Sequence, residues 1–193
     1  MKKIIGITGG IGSGKSFVSR IIEKMGYPVF YADQASKWLT NNDPEVKKKL
    51  IQLLGNEVYL EGTLNIPFLS KIVFSSDAKR EQINQIIHPV VRRYFTEWVE
   101  SQSVELCFNE AAILFETGAY KNFDGIILVT APDDLRIKRV MERDKCTMEE
   151  VQVRMKKQWP DEKKRTFQPL EIMNDESQAL LIQIETAIKE LKK

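Results

Sequence analysis

The strongest constraint on the fold is a glycine-rich turn near the start of the chain, between an apolar run and an amphipathic segment. Residues 9–16 read Gly-Gly-Ile-Gly-Ser-Gly-Lys-Ser, which fits the pattern G-x-x-x-x-G-K-[ST] at every fixed position. The apolar residues 4–8 predict a buried strand before the turn, and residues 15–25 predict a helix after it. A strand, a turn and a helix in this order form the first unit of a parallel α/β sheet.

The same turn has the chemistry of a phosphate-binding loop. Its glycines let successive backbone N–H groups point toward one anion, and the N-terminus of the next helix adds a partial positive charge. In this pattern the lysine contacts the β- and γ-phosphates, and the hydroxyl that follows it binds Mg²⁺. We therefore predict a nucleoside triphosphate site, against the alternative of a glycine-rich turn without a ligand. The predicted nucleotide-binding residues are Gly10, Ile11, Gly12, Ser13, Gly14, Lys15 and Ser16, with Ser16 as a metal ligand.

Short apolar runs alternate with helical segments along the rest of the chain. The runs at residues 28–31, 104–109 and 126–129 are interpreted as further strands. This alternation predicts an α/β fold built on a parallel sheet. The last segment, residues 175–193, has apolar side chains on one helical face and predicts a helix that packs on the sheet.

A long helical segment separates the second and third predicted strands. It predicts a substrate-binding insertion at about residues 34–102 within a single domain of 193 residues. Within the insertion, residues 77–101 show helical spacing of their apolar side chains. Pro89 lies inside this helix, where we expect a kink or a break.

Three carboxylates follow predicted strands, at the edge where parallel α/β sheets bind their ligands. Asp33 follows the second strand and is interpreted as the group that orients an acceptor hydroxyl and takes its proton. Metal binding through water and a helix N-cap are the alternatives for Asp33. Glu110 ends the third strand and is a candidate for holding Mg²⁺ through water, and Glu116 lies on a turn beyond it. For both glutamates a solvated surface charge is the alternative.

The most basic part of the chain lies between residues 136 and 165. It holds eleven Lys and Arg against six Asp and Glu, a local balance of 11 − 6 = +5. Arg136, Arg139 and Arg143 fall at i, i+3 and i+7 on one face of a predicted helix. Guanidinium groups presented in this way can bind a polyphosphate with two hydrogen bonds each.

A second helix follows in the same basic region. The pattern Thr-Met-Glu-Glu at residues 147–150 is a capping box, and the helix it begins carries Arg154. We predict a mobile basic lid at about residues 144–168, which closes over phosphates and excludes water. A solvated charged face is the alternative.

Composition excludes several classes of protein. The 29 Lys and Arg balance 27 Asp and Glu, and a net charge of +2 argues against a nucleic-acid binder. No apolar run approaches the roughly 20 residues of a membrane-spanning helix, so no membrane contact is predicted. Cys107 and Cys146 are too few and too far apart for a disulfide scaffold or a zinc site, and we expect them to be reduced in a cytoplasmic protein. A single histidine, His88, excludes a histidine-rich metal site.

The order of these motifs resembles the dephospho-CoA kinase family over essentially the whole chain. The phosphate loop occurs in many families, whereas the His-Pro pair, the Leu-Phe-Glu element and the Arg-x-x-x-Arg-Asp element in this order are much more specific. The matching elements are Tyr31-Ala32-Asp33, His88-Pro89, residues 110–116, Arg139 with Arg143 and Asp144, Arg154 with Gln158, and Ile172 with Asn174. The chain departs from the family pattern at Tyr31, Ala112 and Gln168-Pro169. Because Tyr31 replaces the first aspartate of its element, only Asp33 can act as the family's base.

The resemblance implies ATP-dependent phosphorylation of the ribose 3′-hydroxyl of dephospho-CoA, the last step of coenzyme A biosynthesis, with ATP and Mg²⁺ as cofactors. The implied fold is a three-layer core like that of nucleoside monophosphate kinases, with a helical CoA-binding subdomain and a lid. The implied catalytic residues are Asp33, Lys15, Arg139 and Arg143. The implied substrate-binding residues are Asp33, His88, Glu116 and Arg154, although His88 is equally well interpreted as a histidine at a helix break. A monomer or a weak homo-oligomer is expected.

Three rival functions are weighed against this prediction. A nucleoside monophosphate kinase shares the loop, the lid and the paired arginines and differs in its acceptor. A GTP-binding switch protein needs an Asn-Lys-x-Asp run, which this chain lacks. A nucleotide-binding module without catalysis is disfavoured because Lys15, Ser16 and Asp33 are all present.

Overall fold

The structure is a computed structural model that describes residues 2–193. In chain order its strands are β1 Lys3–Gly9, β2 Val29–Tyr31, β3 Tyr59–Leu60, β4 Thr63–Leu64, β5 Leu106–Glu110, β6 Gly125–Thr130 and β7 Leu170–Met173. Its α-helices are α1 Lys15–Lys24, α2 Ala32–Asn42, α3 Pro44–Leu54, α4 Ile66–Ser75, α5 Asp77–Ser101, α6 Asp133–Asp144, α7 Met148–Lys156, α8 Asp161–Arg165 and α9 Leu180–Leu191.

These elements form two compact units. The first unit consists of residues 2–31 and Gln102–Lys193, and the second consists of Ala32–Ser101. The second unit occupies the region in which the sequence predicts a helical insertion. Its role in binding substrate stays a prediction.

The first unit is built on a parallel sheet with the strand order β2-β5-β1-β6-β7. Strand β1 lies at the centre, where Ile7 pairs with Glu110 of β5 and Gly9 pairs with Val129 of β6. The four strands expected from the sequence correspond to β1, β2, β5 and β6. The predicted α/β fold is therefore confirmed.

The core of the first unit lies between the sheet and the helices that cover it. Ile5 and Ile7 of β1 pack in one cluster with Ile22 of α1 and Ile184 of α9, and all four side chains are fully buried. The C-terminal helix expected at residues 175–193 is present as α9, although it begins only at Leu180. Burial of apolar surface from both sides explains why the central strands are nearly continuous apolar runs.

The sequence analysis missed one strand of this sheet. Strand β7 follows Pro169 and pairs with β6 at the edge, with Ile172 opposite Val129. It is only four residues long and includes the charged residue Glu171, so its composition gives little strand signal. The Glu171 carboxylate accepts a hydrogen bond from the Thr130 hydroxyl at 2.7 Å, which satisfies a charge at this position.

The second unit is a helical cluster with its own apolar core. Helices α2, α3 and α5 contribute Leu39, Leu50 and Ile83 to this core, and β3 and β4 form a short antiparallel pair beside it. Helix α5 continues through Pro89 for 25 residues, so the expected break does not occur. Despite this length, no helix within residues 2–193 is both long and apolar enough to cross a membrane.

We expect the Ile184→Ala variant to lower the free energy of unfolding by about 2–5 kcal/mol, because it removes a fully buried side chain from the sheet–helix core. Urea unfolding followed by circular dichroism measures the loss. Leu181→Ala is the matched control on the same helix, because Leu181 is 50% exposed. Equal losses for the two variants would contradict the packing of α9 on the sheet.

Candidate active site

The glycine-rich loop connects the C-terminal end of β1 to the N-terminus of α1. Gly12 has a φ of 79° and Gly14 a φ of 89°, in the left-handed region that only glycine adopts without strain. Gly14 precedes α1 directly, so the loop amides and the positive end of the helix lie together. The Ser13 N–H donates to the Gly10 carbonyl at 3.0 Å and closes the turn. This is the backbone arrangement of an anion-binding nest.

Lys15 and Glu110 form the central ion pair of the site. The Lys15 ammonium lies 3.2 Å from the Glu110 carboxylate, and the two side chains are 17% and 8% exposed. Glu110 ends β5, next to the strand from which the loop leaves. The solvated surface charge considered for Glu110 is therefore wrong. Ser16 follows Lys15 in α1 and is exposed.

Arg136 lies against the glycine loop. Its Nε donates to the Ile11 carbonyl at 3.0 Å, and the residue is buried. A Cβ atom on Gly10 would overlap the guanidinium, and one on Gly12 would lie 2.5 Å from the Arg136 carbonyl oxygen. The close approach of Arg136 thus accounts for two of the glycines. The Arg136 guanidinium thus supports the loop, whereas contact of the three arginines with a polyphosphate stays a prediction.

Arg139 borders a cavity beside the loop. Its guanidinium donates to the Asn174 carbonyl at 3.1 Å and to the Glu176 carboxylate at 2.9 Å. The Asn174 amide donates in turn to the Ser13 carbonyl at 2.9 Å, which connects the arginine to the loop. The cavity has a volume of about 460 Å³, and its lining includes Gly14, Phe17, Arg139, Asn174, Glu176 and Leu180.

Arg143 and Arg154 share one carboxylate partner. Arg143 donates to Asp144 at 2.7 Å, and Arg154 of α7 donates to the same carboxylate at 2.7 Å. Both arginines are exposed. These hydrogen bonds, from Arg143 first and then from Arg154, lower the pKa of Asp144 to about 2. Asp144 therefore links α6 to α7 while it holds two of the predicted site arginines.

The segment after α7 contacts the loop and the end of β5. The Ile11 N–H donates to the Gln158 side-chain oxygen at 2.7 Å, and the Trp159 N–H donates to the Glu116 carboxylate at 2.9 Å. The Lys164 ammonium lies 3.7 Å from the same carboxylate. Glu116 is mostly buried, so the surface charge considered for it is wrong. Any contact between Glu116 and a substrate would compete with these partners, and this role stays a prediction.

Tyr31 and Asp33 flank the boundary between the two units. The Tyr31 hydroxyl donates to Glu23 at 3.3 Å, and burial followed by the Glu23 charge raises the pKa of Tyr31 to about 12. Tyr31 is thus a neutral phenol and does not replace a carboxylate. Asp33 is the exposed second residue of α2, two residues beyond the end of β2, so the N-cap alternative is wrong.

His88 belongs to the second unit, on the uninterrupted helix α5, so its interpretation as a histidine at a helix break is wrong. The side chain reaches solvent. Partial desolvation by neighbouring atoms and the Arg92 charge lower the pKa of His88, which favours the neutral imidazole. Its role in substrate binding stays a prediction.

Comparison with known proteins identifies the family. A family model described as dephospho-CoA kinase matches residues 3–179. A dephospho-CoA kinase from Bacteroides fragilis is 40% identical over 181 residues, which cover 93% of this chain and 88% of that protein. The chain belongs to the dephospho-CoA kinase family. The resemblance stated from the sequence motifs is confirmed.

Two solved structures agree with this family. The crystal structure of TT1252 from Thermus thermophilus has a TM-score of 0.86 and 34% identity, and the match covers 99% of this kinase and 96% of that chain. The structure of a dephospho-CoA kinase from Campylobacter jejuni has a TM-score of 0.67 and 25% identity, and the match covers 100% and 96%. The similarity extends over both units of this kinase.

The predicted site residues of this kinase fall into three groups. The loop residues, Glu110 and Arg139 come together in the first unit, and Arg143 and Arg154 meet at Asp144. Asp33 and His88 belong to the second unit. Sequence reasoning missed the support that Arg136 gives to the loop. The signal for it was Gly10 and Gly12, two glycines at positions that the motif leaves variable, but extra glycines do not show which residue approaches them.

We expect stability at low pH to depend on Asp144. Its folded-state pKa of about 2 lies below the unfolded value, so its contribution is present above about pH 4 and is lost as the pH falls toward 2. Exposure limits this contribution to about 1 kcal/mol. Urea unfolding between about pH 5 and pH 2 should show a flatter pH dependence for Asp144→Asn than for the wild type. Glu142→Gln, an exposed change on the same helix, is the control, and identical slopes for the wild type and Asp144→Asn would reject this role.

Proposed function

We propose that this protein transfers the γ-phosphoryl group of ATP to the ribose 3′-hydroxyl of dephospho-CoA and so acts in coenzyme A biosynthesis. The observation that carries this assignment is the complete phosphate loop with its Lys15–Glu110 pair, in a chain that belongs to the dephospho-CoA kinase family. The protein is a kinase.

The phosphate loop binds the triphosphate, and Lys15 contacts its outer phosphates. In the free protein the Lys15 ammonium is neutralised by Glu110, so ATP exchanges one anionic partner of the lysine for another. This exchange keeps the buried ammonium paired at every stage, which limits its desolvation cost. Residues Gly10 to Ser16 form the cradle.

Ser16 and Glu110 fit the protein ligands of a Mg²⁺ ion. No group of three or more His, Cys, Asp or Glu side chains in residues 2–193 is arranged to hold a metal. Mg²⁺ is typically held by one or two protein oxygens together with substrate phosphates and water, and a hydroxyl with a carboxylate supplies that number. When bound, the ion would neutralise charge on the phosphates.

The cavity beside the loop is our candidate for the adenosine part of ATP. It borders Gly14 and Phe17 at the start of α1, so a nucleotide whose phosphates occupy the loop reaches it directly. Arg139 presents a planar cation to the cavity, held by Asn174 and Glu176. A planar guanidinium of this kind stacks on an aromatic base or contacts phosphate oxygens. Arg139 and Arg143 together neutralise the charge that develops during transfer.

Asp33 is the proposed general base. It orients the 3′-hydroxyl, accepts its proton as the oxygen attacks the γ-phosphorus, and is the only family carboxylate left in this element because Tyr31 is a phenol. His88 and Arg154 are proposed to bind the acceptor, and residues 34–102 its CoA part. Arg154 becomes available to the acceptor when it releases Asp144.

We propose that the protein works in the cytoplasm as a monomer or weak homo-oligomer, without nucleic acid. The near-neutral net charge of +2 supports the absence of nucleic acid. Two free cysteines, of which Cys107 is buried, support the cytoplasmic location. The lid is proposed at about residues 144–168, and its mobile part is α7, whose Arg154 forms an exposed ion pair with Asp144 of α6.

The decisive experiment measures ADP production from ATP with and without dephospho-CoA. Strong stimulation is expected, with the new phosphate at the ribose 3′ position by phosphorus NMR of the product. Nucleoside monophosphates serve as alternative acceptors in the same assay. Stimulation by a nucleoside monophosphate and not by dephospho-CoA would overturn the proposal.

The Asp33→Asn variant should reduce kcat by about 10²–10⁴-fold, the usual contribution of a general base, and leave ATP affinity nearly unchanged. Initial rates give the first quantity and calorimetric titration with ATP gives the second. Asp77→Asn, which also changes a carboxylate in the first turn of a helix of the second unit, is the matched control. Equal turnover of Asp33→Asn and wild type would reject Asp33 as the base.

A further inference from the structure

We propose that Ile11, the third residue of the phosphate loop, is clamped from two sides and that this clamp holds the loop in its nucleotide-binding shape. The clamp consists of Gln158, Arg136, Asp161, Lys164 and Glu116. It deepens the proposed function, on which it rests, by assigning positioning residues to the phosphate site.

The direct contacts of the clamp fix both backbone polar groups of Ile11. Its N–H donates to the Gln158 side-chain oxygen at 2.7 Å, and its carbonyl accepts from the Arg136 Nε at 3.0 Å. These two groups belong to the peptides on either side of the Ile11 Cα. Holding both therefore fixes the orientation of two successive peptides in the loop, where rotation of either one would change which N–H groups face an anion.

The outer members of the clamp join these two contacts into a closed circuit. The Arg136 Nη1 lies 3.6 Å from the Oδ2 of Asp161, and the Lys164 Nζ lies 3.6 Å from the Oδ1 of Asp161. Lys164 lies 3.7 Å from Glu116, and Glu116 accepts from the N–H of Trp159, the neighbour of Gln158. The circuit returns to Ile11 through Gln158. The circuit contains two cations and two carboxylates, and Arg136 has a further partner outside it, the exposed Asp133 at 2.9 Å.

The burial of these charges argues for a role in positioning. Lys164 is fully buried. Its Nζ, the Oε2 of Glu116 and the Oδ1 of Asp161 have no hydrogen-bond partner among residues 2–193. Buried ion pairs without good hydrogen bonds contribute little to stability, because desolvation offsets the attraction. Breaking one of these pairs is nevertheless costly, because removal of one partner leaves the other charge buried and unpaired.

The clamp also identifies which part of the predicted lid is anchored. Lys164, near the C-terminal end of α8, is buried. Gln158 is hydrogen bonded to Ile11 of the loop, and Trp159 is hydrogen bonded to Glu116. Gln158 is therefore held on the loop rather than free to leave it. A loop ordered before ATP arrives loses less conformational entropy on binding, so the clamp favours affinity for the phosphates.

The first test replaces Gln158 with Met, which has a similar length and accepts no strong hydrogen bond. We expect ATP affinity, measured by calorimetry without acceptor, to fall about tenfold. A tenfold change corresponds to about 1.4 kcal/mol, which is close to the contribution of one hydrogen bond. The KM for dephospho-CoA should not change. Gln152→Met, on the exposed face of α7, is the matched control and should bind ATP as the wild type does.

Two outcomes would overturn the role of Gln158. Unchanged ATP affinity together with a lower melting temperature would show that the side chain only stabilises the fold. Tighter ATP binding would show that Gln158 competes with the phosphates for the loop.

The second test is a double-mutant cycle on the buried charges. Lys164→Met leaves the carboxylate of Glu116 unpaired, whereas Glu116→Gln keeps an acceptor for the Trp159 N–H and removes the charge. We expect ATP affinity to be lower in Lys164→Met than in Lys164→Met/Glu116→Gln, by several-fold. If Lys164→Met does not fold but Lys164→Met/Glu116→Gln folds and binds ATP, the circuit is supported in the same way. Additive losses would reject the circuit.

The two proposals fail separately in these experiments. The calorimetric titrations contain ATP and no acceptor, so they report on the clamp whatever the acceptor is. A wild-type protein that binds ATP but does not phosphorylate dephospho-CoA would reject the proposed function and leave the clamp intact. Normal phosphorylation of dephospho-CoA by the wild type, together with unchanged ATP affinity in Gln158→Met, would support the proposed function and reject the clamp.

Discussion

A phosphate loop must turn several N–H groups toward one anion, and this leaves carbonyl groups that need partners elsewhere. In this chain Arg136 supplies the partner for Ile11. Its guanidinium leaves no room for a Cβ atom on Gly10, and its backbone leaves none on Gly12. The loop, the first turn of α6 and the segment beyond α7 therefore depend on one buried guanidinium. A glycine-rich loop is intrinsically flexible, and contacts of this kind give it a single shape.

The arrangement also changes the meaning of the basic region between residues 136 and 165. Its excess of positive charge suggested a set of free cations around the phosphates, but many of its side chains already have carboxylate partners. Arg143 and Arg154 share Asp144, Arg165 pairs with Glu171, and Lys164 is fully buried. Much of the region therefore consists of local ion pairs, and a polyphosphate must compete with protein carboxylates for the paired cations.

The parallel sheet and the phosphate loop could be predicted from sequence because each depends on local signals. Residues 4–8 and 126–129 are mostly apolar runs, as expected for strands buried on both faces, and the phosphate loop has a recognisable local pattern between a strand and a helix. Strand β7 and the contacts of Arg136 depend on partners far away in the chain, such as Val129 and Ile11. Helical spacing placed three arginines on one face, but spacing does not show which of them meets a carbonyl and which a carboxylate.

Pairing of the site cations before the nucleotide arrives has a consequence for selectivity. An unpaired buried ammonium at Lys15 would attract any small anion, whereas a lysine already neutralised by Glu110 gains nothing from a single weak contact. Only a ligand that also engages several loop N–H groups compensates for the loss of that carboxylate. The structure thus favours a polyphosphate over an isolated anion. The hydrogen bonds from the loop form together, and their combined free energy must exceed that of the Lys15–Glu110 ion pair that the ligand replaces.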